Sequence, residues 1–138
     1  MEIINVLVGW HNKNYSATTE DYDRLNGIVI ATGSTFEKLQ KEFESALRFH
    51  IEGCLSDGDI LREWLLSGDY KIEYELTASA LLHRLDGIVT RSAIARVSGI
   101  NERQIGHYAL GIRTPRPEKR KQIIDGIRQI SKELASVV

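Results

Sequence analysis

Cysteine is nearly absent from this chain of 138 residues, which contains only Cys54. One cysteine cannot close an internal disulfide, and no set of Cys and His residues around it has zinc-binding spacing. We therefore expect a buried structural thiol rather than a reactive one, and a protein of the reducing cytoplasm. Long apolar runs are also missing, since none approaches the roughly 18–20 residues that cross a membrane. The N-terminus has no basic segment followed by an apolar one, which predicts no secretory signal.

Motifs of catalysis are missing as well. The chain has no phosphate-binding loop, nucleophile elbow or metal-binding motif, and its four histidines are scattered along the sequence. Glu20, Asp21 and Asp23 cluster in a polar segment, but without the spaced partners that would chelate two metal ions. Solvated loop charge explains this cluster better than the centre of a nuclease. We therefore expect no catalytic residue, no metal, no cofactor and no enzymatic activity.

The overall charge of −1 conceals an opposition between the two halves. Residues 1–76 contain seven Lys and Arg against 14 Asp and Glu, a net charge of −7. Residues 77–138 contain 11 Lys and Arg against five Asp and Glu, a net charge of +6. Two modules with different partners would explain this division. The basic half suits the phosphates of a nucleic acid, and the acidic half suits a basic protein.

Residues 1–76 show strand patterns around one long helix. β-Branched and apolar residues over 2–10 predict a strand, and shorter strands are predicted over 15–19 and 28–32. A fourth strand is predicted over 69–76, where apolar and charged residues alternate. The resulting order is β-β-β-α-β, which makes the fold class α+β.

The predicted helix begins at an S-x-x-E capping box formed by Ser34 and Glu37. Apolar residues then recur at helical spacing as far as Cys54, and Gly53 and Gly58 are expected to end the helix. His50 lies on this apolar stripe, and we expect a histidine with satisfied hydrogen bonds rather than a metal ligand.

Residues 77–138 are predicted to be helical throughout, with helices over 78–85, 91–97, 102–110 and 117–136. The spacing of Ala95, Gly99 and Ile105 is typical of a helix-turn-helix, which places its second helix in the major groove of DNA. Thr90 and Asn101 are predicted to cap its two helices, and Pro117 suits the first turn of the last one. A helical hairpin with a solvated basic face is the alternative.

The second helix of this motif is predicted to expose one polar face, from which Arg103 can donate two hydrogen bonds to a guanine edge. Basic residues on either side of the motif are expected to hold phosphates. The residues that we expect to contact DNA are Arg91, Asn101, Glu102, Arg103, Gln104, His107, Arg113, Arg116, Lys119 and Arg120.

The last helix has an apolar seam whose steps of four and three residues are typical of a coiled coil or a bundle. Its members are Ile123, Ile127, Ile130, Leu134 and Val137. The seam can pack against its own domain, or it can form the contact of a homodimer or a higher oligomer, which would let two motifs span two half-sites.

Several segments together resemble the HicB antitoxins, in the subgroup that has a C-terminal helix-turn-helix. In the N-terminal half these are Asn14-Tyr15-Ser16-Ala17, Leu25-Asn26-Gly27-Ile28, Gly33-Ser34-Thr35-Phe36-Glu37 and Ala46. Further along they are REWLLSGDYKIEYEL, the segment 81–90, GINERQIGHYALGIRTPRPEKRKQI and KELASV. The resemblance covers nearly the whole chain.

This resemblance implies a partial RNase H-like domain over residues 1–76, without nuclease activity, and a helix-turn-helix domain over residues 77–138. The first would bind and block a HicA-like toxin, a small protein that cleaves mRNA, and the second would repress the operon by binding double-stranded operator DNA. The residues expected to contact the toxin are Tyr15, Ala17, Asp21, Asp23 and Ile28. A transcriptional regulator whose N-terminal domain senses a ligand or dimerises is the alternative, and an active RNase H-like nuclease is a third reading.

Overall fold

The computed structural model describes residues 1–138, which form two compact units, Met1–Thr77 and Ala78–Val138. The first unit contains β1 (Glu2–His11), β2 (Asn14–Thr19), α1 (Tyr22–Leu25), β3 (Ile30–Gly33), α2 (Phe36–Ser56), α3 (Glu63–Ser67) and β4 (Tyr70–Leu76). The second contains α4 (Ala78–Leu85), α5 (Arg91–Ser98), α6 (Glu102–Leu110) and α7 (Pro117–Ala135). The predicted α+β class is confirmed.

The four strands form one mixed sheet in the order β3-β2-β1-β4. The hairpin β1–β2 and the pair β2–β3 are antiparallel, whereas β4 runs parallel to β1. Asn12 and Lys13 connect β1 to β2 with φ angles of 50° and 62°, as a two-residue hairpin loop with both central residues at positive φ requires. β3 and β4 are the two edges of the sheet.

One face of the sheet is covered by α2, and the core lies between them. Ile4, Val6 and Val8 alternate along β1 with more exposed residues, because successive side chains of a strand point to opposite faces. They meet the apolar stripe of α2, whose fully buried members include Leu39 and Phe43. On the other face of the sheet, the charged residues Lys71, Glu73 and Glu75 of β4 are exposed.

Three details of the first unit differ from the sequence predictions. The α2 cap is Thr35, whose hydroxyl accepts a hydrogen bond from the Lys38 amide at 3.1 Å, so the predicted capping box at Ser34 is wrong by one position. Gly53 does not end α2, which continues to Ser56 because a solvent-exposed glycine is tolerated inside a long packed helix. β3 begins at Ile30 rather than at Ile28.

In the second unit, α5 and α6 are joined by three residues that begin with Gly99. Gly99 has a φ of 77°, the left-handed conformation that a tight helix end needs and that glycine adopts at little cost. The predicted caps are confirmed: the Thr90 hydroxyl accepts from the Ala93 amide at 3.0 Å, and Asn101 Oδ1 accepts from the Gln104 amide at 2.8 Å.

The core of this unit contains residues from all four helices and from the α5–α6 connection. Ile105 is fully buried, and Ala95 packs against the same cluster, as their spacing predicted. α7 begins with Pro117 in its first turn, also as predicted. It approaches α5 closely at the buried Gly126, where the absence of a side chain leaves room for the backbone of Ser98.

Candidate protein-binding and nucleic-acid interfaces

α6 has one buried and one exposed face. Ile105, Tyr108 and Ala109 are buried in the core of the second unit. Arg103 is exposed on the opposite side, and Glu102 beside it is exposed as well. The guanidinium of Arg103 makes no ion pair within the chain, so its donors remain available to an external acceptor.

Three of the residues predicted to contact DNA already have partners inside the chain. Asn101 uses its Oδ1 to cap α6, and Gln104 Nε2 donates to the Tyr108 hydroxyl at 2.8 Å. Arg91 Nη2 donates to Asp86 Oδ2 at 3.2 Å. These bonds fix the start of α6 and the start of α5. The predicted DNA contacts of Gln104 and Arg91 would therefore compete with bonds inside the chain. His107 is half-buried.

A second group of cations follows α6 in the chain. Arg113 and Arg116 are exposed in the segment between α6 and α7, and Lys119 is exposed in the first turn of α7. Arg120, next to it, is half-buried. None of these four cations, nor Arg103 at the start of α6, forms an ion pair within the chain.

The apolar seam of α7 is buried at one end and exposed at the other. Ile123 is 1% exposed, whereas Leu134 is 61% exposed. Between them Ile127 and Ile130 line an apolar groove of about 280 Å³ together with Ile88, which is 72% exposed. Packing against its own unit therefore accounts for Ile123, Ile127 and Ile130 but not for Leu134 and Val137.

Two of the five residues expected to contact a toxin belong to the core of the first unit. Tyr15 is 5% exposed and Ala17 is 1% exposed, since both lie on the face of β2 that α2 covers. Tyr15 packs edge-to-face against Trp10 and Phe36, with ring centroids 4.8 and 6.1 Å apart. Their predicted role is corrected accordingly: these side chains stabilise the sheet and are not accessible to a partner.

The acidic segment before β3 is more ordered than its sequence predicted. It forms the short helix α1, and Arg24 of this helix pairs with Asp21 at 2.7 Å and with Glu2 at 2.8 Å. The Arg24 guanidinium also lies 4.8 Å from the centre of the Trp64 ring. Asp21 is therefore a structural partner of Arg24, while Asp23 is exposed and available to an external cation.

Ile28 lies in an exposed apolar surface that we call the Ile28 patch, defined as Ile28, Ile30 and Phe49. These three side chains are 54%, 66% and 79% exposed, and all three line a groove of about 490 Å³ between β3 and α2. Asp57 and Asp59 line the same groove, and both are exposed. An apolar centre beside carboxylates is a surface that a basic protein with an apolar anchor would complement.

At the floor of this groove His50 and Cys54 are neighbours, with Nε2 and Sγ 3.7 Å apart. His50 Nε2 also lies 2.7 Å from the carbonyl oxygen of Leu25. A carbonyl oxygen only accepts, so Nε2 carries a proton in this contact and cannot take one from the thiol. His50 is a satisfied histidine that links α2 to the end of α1, and Cys54 is a buried free thiol, as predicted.

No group of three or more His, Cys, Asp and Glu side chains is arranged to hold a metal ion. No helix combines the length and the apolar character that crossing a membrane requires. Comparisons of the chain with protein-family models, with curated proteins and with solved structures find no match.

Phe49 is the site residue that the sequence interpretation missed. The core-facing residues Phe43 and Leu47 follow the helical spacing of α2, and Phe49 falls two positions after Leu47, away from that stripe. A large aromatic residue on the polar side of an amphipathic helix was the available signal. Ile28 was predicted to contact the toxin, but the sequence does not show that Ile30 and the α2 residue Phe49 lie in the same groove.

Proposed function

We propose that the protein is an antitoxin that binds a small HicA-like, RNA-cleaving toxin and represses its own operon by binding operator DNA. The observation that carries this proposal is that the chain has two compact units of opposite charge. The acidic unit exposes the Ile28 patch, and the basic unit exposes the polar face of α6. The resemblance of the sequence to HicB antitoxins supports the same division of labour.

The Ile28 patch is the proposed toxin-binding surface. A protein that binds and cleaves RNA needs a basic surface, and the acidic first unit complements such a surface at long range. Phe49 and Ile28 would supply the apolar anchor, while Asp23, Asp57 and Asp59 would contact basic residues at the rim.

Co-expression with a HicA-like toxin tests the toxin-binding role. We expect the wild-type protein to relieve the growth arrest that the toxin causes, and Phe49→Asp to lose that effect. Leu66→Asp is the matched control, because Leu66 is 48% exposed on α3, outside the patch. Failure of the wild-type protein to relieve the arrest would contradict the antitoxin function and favour a regulator with a ligand-sensing or dimerising N-terminal domain.

α6 is the proposed recognition helix, with Arg103 as its main base-reading residue and the cations Arg113, Arg116 and Lys119 on phosphates. Arg103→Ala is expected to cost about 1–3 kcal/mol of binding free energy on the preferred operator and to relax selection at one base pair. Arg128→Ala is the matched control, since Arg128 is an exposed arginine on α7 away from α6. Equal footprints for wild type and Arg103→Ala would show that α6 does not read the DNA.

We also propose that α7 joins two copies through the exposed half of its seam. Helix-turn-helix proteins commonly read two half-sites as dimers, and the apolar groove beside Ile88 and Leu134 leaves a surface that a second α7 would cover.

The third hypothesis, an active nuclease, is tested by incubating pure protein with labelled RNA and Mg²⁺ or Mn²⁺. Cleavage would contradict the proposed non-catalytic role.

A further inference from the structure

The edge strand β4 has an uncovered side. It pairs with β1 alone, so the backbone groups along its outer edge have no strand partner in this unit. The strand is seven residues long, contains no proline and pairs with β1 over its whole length in one uninterrupted register. An edge of this kind is a template on which another strand can pair.

The sequence of β4 is self-complementary about Ile72. When a second copy is placed antiparallel with the two-fold axis at Ile72, Lys71 lies opposite the partner's Glu73, and Glu73 lies opposite the partner's Lys71. On the other face Tyr70 lies opposite the partner's Tyr74, and Ile72 meets itself. Directly opposite residues of an antiparallel pair share a face, so over residues 70–74 each contact joins two apolar side chains or two opposite charges.

We infer that two copies of this chain associate by pairing their β4 strands antiparallel about Ile72, which extends each four-stranded sheet into one of eight strands. The inference does not depend on DNA or toxin binding. It concerns a part of the first unit that lies on the opposite edge of the sheet from β3 and the Ile28 patch.

The inferred register differs from the neighbouring ones in keeping like charges off the two-fold axis. A shift that brings Glu73 opposite the partner's Glu73 places two carboxylates on the axis, and the opposite shift does the same with two Lys71 ammonium groups. In the inferred register the like charges Glu75 and Asp69 meet twice, once at each end of the paired segment, where the strands leave the ladder. A one-residue slip would bring the charged face of one strand against the apolar face of the other.

The ion pair that Lys71 forms within its own strand is weak enough to be replaced by one with a second copy. Lys71 Nζ lies 3.9 Å from Glu73 Oε1 within the same strand, and these side chains are 65% and 50% exposed. Such exposed pairs contribute little. The directly opposite residue of a paired strand would lie closer to each of them than their neighbour two positions away on the same strand.

The groove beside β4 supplies a second, independent observation. It encloses about 530 Å³ between the strand and α2, with Tyr70, Ile72 and Tyr74 on one wall and Glu44 on the other. The Tyr74 hydroxyl is buried in this region without a hydrogen-bond partner, an arrangement that native structures rarely leave unexplained. In the inferred register the second copy would place its own Tyr70, with its hydroxyl, opposite Tyr74 on this wall of the groove.

Charge reversal in the full chain tests this inference, with sedimentation equilibrium as the readout. We expect Lys71→Glu and Glu73→Lys each to weaken self-association at least tenfold, and the double variant Lys71→Glu/Glu73→Lys to restore it. The controls Lys41→Glu and Glu42→Lys make the same charge changes on exposed positions of α2. They are expected to leave the association constant unchanged.

Hydrogen exchange locates the contact. In wild type, the protection of the amides of residues 70–76 is expected to rise with protein concentration, and this rise is expected to disappear in both single variants. Association that is equal in all variants, or a double variant that fails to recover, would overturn the inference. So would concentration-dependent protection confined to α7, because that result would place the whole association in the second unit.

Discussion

At the scale of single residues, Gly126 shows how one missing side chain sets the distance between two helices. A Cβ at this position would lie 3.2 Å from the amide nitrogen of Ser98 and 3.3 Å from its Cα, which is backbone that cannot swing away. Gly126→Leu is therefore expected to lower the free energy of unfolding by roughly 1–3 kcal/mol through overpacking. Gly106→Ala is the control, because nothing lies within 4 Å of its Cβ and helix propensity should raise stability by about 0.5–1 kcal/mol. Urea unfolding measures both, and a neutral Gly126→Leu would mean that α5 and α7 can separate without cost.

Tyr74 makes a pH-dependent contribution to stability whose sign is fixed by its surroundings. Burial of the hydroxyl, with the nearby charge of Glu44 as the lesser cause, raises its pKa from 10.0 to about 12. Between these two values the unfolded chain releases the Tyr74 proton while the folded chain keeps it. The contribution is complete below pH 10 and is lost as the pH rises toward 12.

Tyr74→Phe tests both the burial and the missing partner. At pH 7 the substitution is expected to raise the free energy of unfolding by about 1 kcal/mol, because it removes a buried hydroxyl that has no hydrogen bond. Above pH 10 the variant should lose less stability than wild type. Unfolding at pH 7 and pH 11 measures the two effects, with Tyr22→Phe at an exposed position as the control. A destabilised Tyr74→Phe at pH 7 would show that the hydroxyl has a partner after all.

Residues whose role depends on neighbours in sequence were predictable, and residues whose role depends on distant contacts were less so. The caps Thr90 and Asn101 follow from their own helix starts. The sequence predicts Asp21 as a toxin contact because it does not show that Arg24, which pairs with Asp21, also reaches Glu2, 22 residues away. Tyr15 was assigned to a surface because no pattern in its short segment shows which face of β2 the helix covers.

At the scale of elements, α7 combines two functions that its heptad pattern alone cannot separate. Ile123 is buried in its own unit, and Leu134 is not. Ile123→Ala is expected to lower the free energy of unfolding by about 2–5 kcal/mol. Leu134→Glu is expected to leave the stability of the isolated copy within about 0.5 kcal/mol of wild type while weakening self-association through α7. Unfolding at low concentration and sedimentation separate the two outcomes, and loss of folding in Leu134→Glu would place the whole seam in the monomer core.

The long helices were predictable because the helical spacing of apolar residues becomes visible only over several turns. α2 and α7 run for 21 and 19 residues, and their apolar stripes are visible without any tertiary information. α1 has four residues and was not predicted, since one turn cannot display a helical period. Its existence depends on the ion pairs of Arg24 and on the burial of Leu25, which are contacts with other parts of the first unit.

At the scale of the whole molecule, the opposite charges of the two halves lead to different responses to salt. Binding of the basic half to DNA would release counterions, so its affinity should fall steeply with salt concentration. Binding of a partner at the Ile28 patch would depend on apolar contact at the centre and on carboxylates only at the rim. The toxin complex is therefore expected to be the less salt-sensitive of the two.

If the two activities belong to separate units, single substitutions should separate them. Ile28→Asp places a charge at the centre of the Ile28 patch and is expected to abolish toxin neutralisation without changing operator affinity. Arg113→Gln removes one exposed cation near α6 and is expected to reduce the slope of log affinity against log salt by about 0.9 while leaving neutralisation intact. Growth rescue and DNA binding over a salt series, measured on both variants, provide the comparison. If either substitution damages both activities while the protein stays folded, the two surfaces are not independent, and the division of function between the acidic and the basic unit is wrong.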